Sequence, residues 1–218
     1  VDEVWTCSAH ARDAIAAGVD VPVHRVPPPV LPRPSVPRPR HELGLPDGFT
    51  FLFCFDFFSV VDRKNPFGVI DAFCRAFAPG EGPNLLIKSI NGAAALADLE
   101  RVRLHAAERD DVHVVDGYVS AVEQAALVAA CDAYVSLHRA EGFGYTMAEA
   151  MLAGRPVVAT GYSGNLEFMD DRNSVLVGYD LVPIGEGKDP YPAGSRWTDP
   201  DPDQAPAPLR RLVDDPAG

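Results

Sequence analysis

Two glutamates, Glu141 and Glu149, flank the turn Gly142-Phe143-Gly144-Tyr145-Thr146 within HRAEGFGYTMAEAMLAGRPVVATGYSGN, His138 to Asn165. Carboxylates suit sugar and ribose hydroxyls, because each accepts more than one hydroxyl hydrogen. A glycine turn that runs into a helix suits a diphosphate. The first-turn N–H groups have no intrahelical partner, the helix dipole favours negative charge there, and glycine lets the backbone approach closely. On this reading Gly142 to Thr146 hold a diphosphate. Glu141 faces a sugar on one side, and Glu149, in the first turn of the helix, faces a ribose on the other. The plainer alternative makes Thr146-Met147-Ala148-Glu149 a capping box and Glu141 an exposed loop carboxylate.

Such a turn needs strands to hold it. FTFLFCF, Phe49 to Phe55, is a nearly continuous apolar run of the kind buried on both faces of a parallel sheet. NLLIKSI, VHVVDG, DAYVSLH and PVVAT read as four further strands. Between them FGVIDAFCRAF, AALADLERVRLHAAE, VSAVEQAALVAAC and a helix from about Met147 to Ala153 complete an alternating series. The series predicts an α/β fold, a Rossmann-like parallel sheet with helices on both faces. Ligands of such sheets bind beyond the carboxyl ends of the strands. Each candidate loop follows a strand: 58–66 with SVVDRKNP, 88–91, 117–120, 138–145 and 161–165.

Around this core the first 26 residues read as a strand, a helix capped by Ser8 and a further extended piece, a remnant of a preceding domain. Residues 27–48, proline-rich at their start, read as a linker. Residues 49–184 form the expected binding domain. Residues 185–218, rich in Pro and Asp, are expected to be irregular, with one short helix near Leu209. The chain starts at Val1 without an initiator methionine and reads as a fragment or processed product. It carries no basic region followed by an apolar core that would mark a signal peptide. No apolar run approaches the ~20 residues of a membrane span.

The net charge of −12 disfavours nucleic acid and anionic membranes as partners. Phosphate binding then falls to the few cations near strand ends. Arg63 and Lys64 are such a pair, against the alternative of a solvated loop. Lys88 is either a phosphate or base contact or a surface lysine. Arg139 is a loop cation that could lie near a ligand. His138, at the end of a buried strand, fits a hydrogen-bonded structural role, and Tyr118 either contacts a base or packs. Cys7, Cys54, Cys74 and Cys131 are scattered and read as buried free thiols, with no metal-site spacing. Asp199 to Asp203, DPDPD, mimics a metal motif, but its alternate prolines and missing glycine make it a solvated turn.

EGFGYTMAE resembles the Glu-x7-Glu motif of the retaining, GT-B-fold glycosyltransferases of group 1. ACDAYVSLHRAEGFG, EAMLAGRPVVAT and GYSGNLEFM follow that family's pattern in the same order. SVVDRKNPFGVIDAFCRAF and NLLIKSIN resemble a branch found in bacterial cell-surface polysaccharide synthesis. The resemblance runs from about Phe49 to Val182 and, through DEVWTCSAHARDAI, touches the end of the family's N-terminal domain. It implies a donor-binding half that takes a nucleotide diphosphate sugar and uses no metal or other cofactor. Lys64 would meet the diphosphate, Glu141 the sugar hydroxyls beside Gly142, Phe143 and Gly144, and Glu149 the ribose; Tyr118 would frame the base. The family's second cation falls at Ser59, leaving Arg63 to compensate. Ser163-Gly164-Asn165 and Glu167 match a following turn that supports the pocket. The implied partners are a missing N-terminal acceptor-binding domain and an acceptor glycan or lipid-linked sugar. The implied place is the cytoplasm, at the inner membrane face through the missing half, and the half-enzyme alone is expected to be inactive. A non-catalytic nucleotide-binding module on the same fold is the competing expectation.

Overall fold

The chain opens with a short parallel pair, β1 (Val4–Thr6) and β2 (Val23–Arg25), joined by α1 (Ala9–Ala16). Ser8 caps α1 by accepting from the Ala11 N–H at 3.2 Å. This computed structural model describes residues 1–33 and 36–215; residues 34 and 35 of the expected linker, and the last three of the chain, lie outside the described residues. The connector ends at a single 3-10 turn, Arg40–Leu43. There the Arg40 guanidinium bonds the carbonyls of Ala130 (2.8 Å) and Gly48 (2.7 Å), the Thr50 hydroxyl (2.6 Å) and the Asp132 carboxylate (3.1 Å).

The main sheet begins with β3 (Thr50–Asp56), which is followed by the helical turn α2 (Val61–Lys64) and by α3 (Pro66–Ala76). Next come β4 (Asn84–Ile90), α4 (Leu96–Ala106), β5 (Val112–Asp116), α5 (Ala121–Ala130) and β6 (Ala133–Ser136). The series closes with α6 (Tyr145–Leu152), β7 (Val157–Thr160) and β8 (Val175–Val177). All six strands are parallel, in the order β5-β4-β3-β6-β7-β8. The order reverses between β3 and β6, and the crevice at that reversal is where doubly wound sheets bind ligands.

Strand alternation sorts the apolar runs into two layers. Phe51, Phe53 and Phe55 face Val69, Ile70, Phe73 and Phe77 on one side of the sheet. Leu52 and Cys54 face Leu127, Tyr134 and Met147 on the other. Asn65 begins α3, its side chain accepting from the Gly68 N–H at 3.1 Å.

Four local expectations change. The sheet has a sixth strand, β8, whose three residues are too few for a periodicity signal. The segment SVVDRKNP contains a helical turn that ends on Lys64. Helix α6 starts at Tyr145, so Glu149 is its fifth residue rather than a first-turn one. The expected irregular C-terminal region instead contains a strand, β10 (Arg196–Pro200), which buries Trp197 and Thr198 and forms an antiparallel hairpin with β9 (Tyr179–Pro183) at the end of the expected binding domain. It is followed by α7 (Pro206–Asp214), whose Leu209 reaches the core. In the DPDPD stretch Asp199 pairs with Arg139 and Asp201 accepts from the Asp203 and Gln204 N–H groups. Among the described residues no side-chain cluster could hold a metal ion, and no helix is long and apolar enough to cross a membrane.

Candidate active site

A cleft of about 680 Å³ opens over the carboxyl ends of β3, β4, β5 and β6. It gathers Arg63 and Lys64 from α2, Lys88 from β4, Tyr118 beyond β5 and the whole run Glu141 to Thr146, with Glu149 from α6. The expected site residues therefore share one cavity. Arg139 does not join them. It turns to the opposite side, where it pairs with Asp199 at 2.9 Å and lies 5.6 Å from the Trp197 ring centre.

At one end of the cleft the Lys64 ammonium bonds both oxygens of Glu141, at 2.9 and 2.8 Å. Arg63 reaches the same carboxylate at 3.1 Å and the Ala140 carbonyl at 2.8 Å. Burial by itself would raise the Glu141 carboxyl, but the two cations outweigh it and hold the group below the usual carboxylate range. Glu141 is thus not an exposed loop carboxylate. Two cations against one carboxylate leave a net positive charge beside the start of α6.

That helix start carries no side-chain cap. Gly144 takes the cap position at φ +93°, a backbone conformation suited to glycine, and a Cβ there would lie 2.6 Å from the Met147 methyl. The capping-box alternative does not form. The Thr146 hydroxyl bonds Tyr134 Oη at 2.8 Å, and Glu149 pairs with Arg33 of the connector at 2.7 Å. The first-turn amides of α6 are left for an anion.

The Ser163–Glu167 turn braces this loop. The Glu141 N–H donates to Ser163 Oγ at 2.8 Å, and the Gly164 N–H donates to the Glu141 carbonyl at 2.9 Å. Glu167 reaches the other way, accepting from the Ala9 N–H and from Arg25 at 3.0 Å. His138 is fully buried, its ring between Ser136 Oγ at 3.1 Å and Asn165 Oδ1 and the Tyr162 carbonyl at 3.2 Å, which makes it a framework residue.

Burial lowers the His138 pKa below 6.5. The unfolded chain therefore takes up the proton first as pH falls, so this contribution to stability is whole above about pH 6.5 and is lost below it. Unfolding free energies from urea titrations at pH 7.5 to 5.5 should fall more steeply for the wild type than for His138→Asn. The difference in slope is at most about 1.4 kcal/mol per pH unit. Parallel slopes would remove His138 from the account.

At the far end of the cleft, Lys88 is neither exposed nor at the strand's end. It lies within β4, 5% exposed, and donates to the carbonyls of Ser89 (2.9 Å) and Gly117. Tyr118, largely exposed, donates through its hydroxyl to Asn91 Oδ1, and Asn91 Nδ2 donates to Asp56 Oδ1 at 2.7 Å. This string across the ends of β5, β4 and β3 had no motif to announce it. Neither did Gln124 or Arg33, which also line the cleft; only their helix and connector positions bring them there.

Residues 69–183 match the family described as Glycosyl transferases group 1. The chain belongs to that family. No curated protein matches it. Its fold is that of one half of a GT-B glycosyltransferase. It resembles the pneumococcal O-GlcNAc transferase GtfA solved with UDP and GlcNAc, with 16% identity and a TM-score of 0.64, over 100% of this chain and 39% of that one. Anabaena HepE solved with UDP and glucose gives 18% identity and a TM-score of 0.69, over 99% and 55%. Sucrose-phosphate synthase from Thermosynechococcus elongatus gives 20% and 0.69, over 100% and 50%. This glycosyltransferase chain thus spans between 39% and 55% of the lengths of these structures.

Proposed function

We propose that this chain is the donor-binding half of a retaining glycosyltransferase that moves a sugar from a nucleoside diphosphate sugar to an acceptor hydroxyl. The observation that carries the reading is the Glu141 carboxylate held by Lys64 and Arg63 beside the uncapped start of α6, inside the cleft where the strand order reverses. The diphosphate lies on the first-turn amides, with Lys64 and Arg63 as its cations. Glu141 orients sugar hydroxyls and Glu149 takes the ribose. As the glycosidic bond breaks, charge grows on the departing diphosphate, and preorganised donors there lower the barrier. The departing phosphate accepts the acceptor's proton, so Glu141 need not act as a nucleophile. The acceptor, a glycan or lipid-linked sugar of cell-surface polysaccharide or glycoconjugate synthesis, is held by a second domain at the open side of the cleft. The reaction takes place in the cytoplasm, at the inner face of the membrane, and this half alone turns over little or nothing.

Calorimetric titration with nucleoside diphosphates tests the binding step. One of them should saturate the chain, and Glu149→Ala should weaken it about tenfold, the worth of a hydrogen bond to a charged group. Unchanged affinity in a variant that keeps its melting temperature would remove the ribose from Glu149.

A further inference from the structure

Lys88 is a buried ammonium with no carboxylate partner among the described residues. It leaves β4 on the face of Leu86, opposite Cys54 in register on β3, and its Nζ donates to two backbone carbonyls, Ser89 and Gly117. Asp116, the acid whose charge reaches it, is engaged by Ser89 Oγ at 2.8 Å and by the Gly92 N–H. Desolvation lowers the Lys88 pKa, the mark of a charge short of acceptors. An ammonium has three N–H donors, and two are used. The Gly117 carbonyl has a second lone pair, and Gly117 sits at φ +147°, a conformation few residues other than glycine adopt. One N–H of Lys88 therefore stays free, and Lys88 lines the cleft wall beside Tyr118 and Val119.

We propose that Lys88 selects the base of the donor nucleotide, its free N–H taking a base whose edge carries a keto oxygen. Uracil, guanine and hypoxanthine have that edge. Cytosine and adenine carry an amino donor at that position, so two donors would face each other. Position decides for the base over the phosphates. The phosphate-directed groups follow β3 and β6, whereas Lys88 is on β4 toward β5, one strand spacing from β3 and two, or about 10 Å, from β6. The inference rests on the nucleotide-binding reading above and adds which bases that site accepts.

The test uses matched pairs that differ only at this edge: UDP against CDP, and IDP against ADP, titrated into the chain and into Lys88→Met. In the wild type the keto member of each binding pair should bind about tenfold tighter, the usual worth of a hydrogen bond to a charged group. In Lys88→Met that ratio should fall below about threefold, mainly through loss of affinity for the keto member. Removing the buried charge is favourable, but it leaves the Ser89 and Gly117 carbonyls unpaired, so the melting temperature of the variant is measured beside the titration. Equal affinities within the wild-type pairs would overturn base selection and leave nucleotide binding standing. A preference that survives in Lys88→Met would overturn the role of Lys88. Failure of all four ligands to bind would overturn the parent reading as well. Equal affinities in the wild-type pairs overturn the proposal even if the variant does not fold.

Discussion

Lys64→Ala should lower sugar transfer by the whole enzyme about a hundredfold to a thousandfold, the loss seen when one preorganised donor to a developing anion is removed. Lys64 touches both oxygens of Glu141 within 2.9 Å, so it fixes the carboxylate and, in the proposed function, presents charge to the diphosphate from the same position. In the variant Arg63 alone opposes the burial of Glu141, and the Glu141 carboxyl titrates higher. The loss should appear chiefly in kcat, because charge on the leaving group grows only as the bond breaks. Single-turnover measurements on the two-domain protein separate the effects. A kcat near the wild-type value, with only weaker nucleotide binding, would make Lys64 a ground-state contact.

Gly164→Ala should damage both stability and nucleotide binding. A Cβ at 164 would stand 2.1 Å from the Gly142 carbonyl oxygen, 2.3 Å from its carbon and 2.6 Å from the Phe143 nitrogen. All three are backbone atoms, so no side-chain rotation relieves the overlap, and either the Ser163–Glu167 turn or the Gly142–Gly144 loop must move. The cost should be about 3 kcal/mol, at the upper end for overpacking. The bonds from Ser163 and Gly164 to Glu141 go with it. Gly154→Ala is the comparison: it has open space and a φ of +71°, and should cost only about 1 kcal/mol. Urea unfolding of both variants, followed by titration, tests the contrast. A Gly164→Ala protein as stable as Gly154→Ala, with intact binding, would show that the turn yields freely.

The central strands were legible because burial on both faces leaves an unbroken apolar run, as in Phe49 to Phe55. The lateral and peripheral pieces were not. A three-residue β8 has no period, and the β9–β10 hairpin is largely exposed and spans a Gly- and Pro-rich insert. The Glu141-Gly142-Phe143-Gly144 turn could be read locally because glycine and carboxylate types constrain a phosphate and hydroxyl site. What each carboxylate actually meets could not, since Arg33 is far from Glu149 in sequence and Lys64 far from Glu141. Lys88 offered a signal in its alternation: it shares a face with Leu86, and that parity points inward. Arg139 sits next to the motif, yet Trp197 and Asp199, in a hairpin no periodicity disclosed, draw it to the other side.

The cleft's place at the strand-order reversal also sets when it can exist. Lys64 and Glu141 are 77 positions apart and meet only once β6 has docked against β3, whereas Lys88 and Gly117 are 29 apart and need only the neighbouring pair β4 and β5. Closing the longer loop is the slower event, because its entropy is lost before its contacts form. During refolding the Lys88–Gly117 contact should therefore form first and the Lys64–Glu141 contact last. Recovery of nucleotide affinity then serves as a clock for the final docking step, trailing the recovery of helix signal.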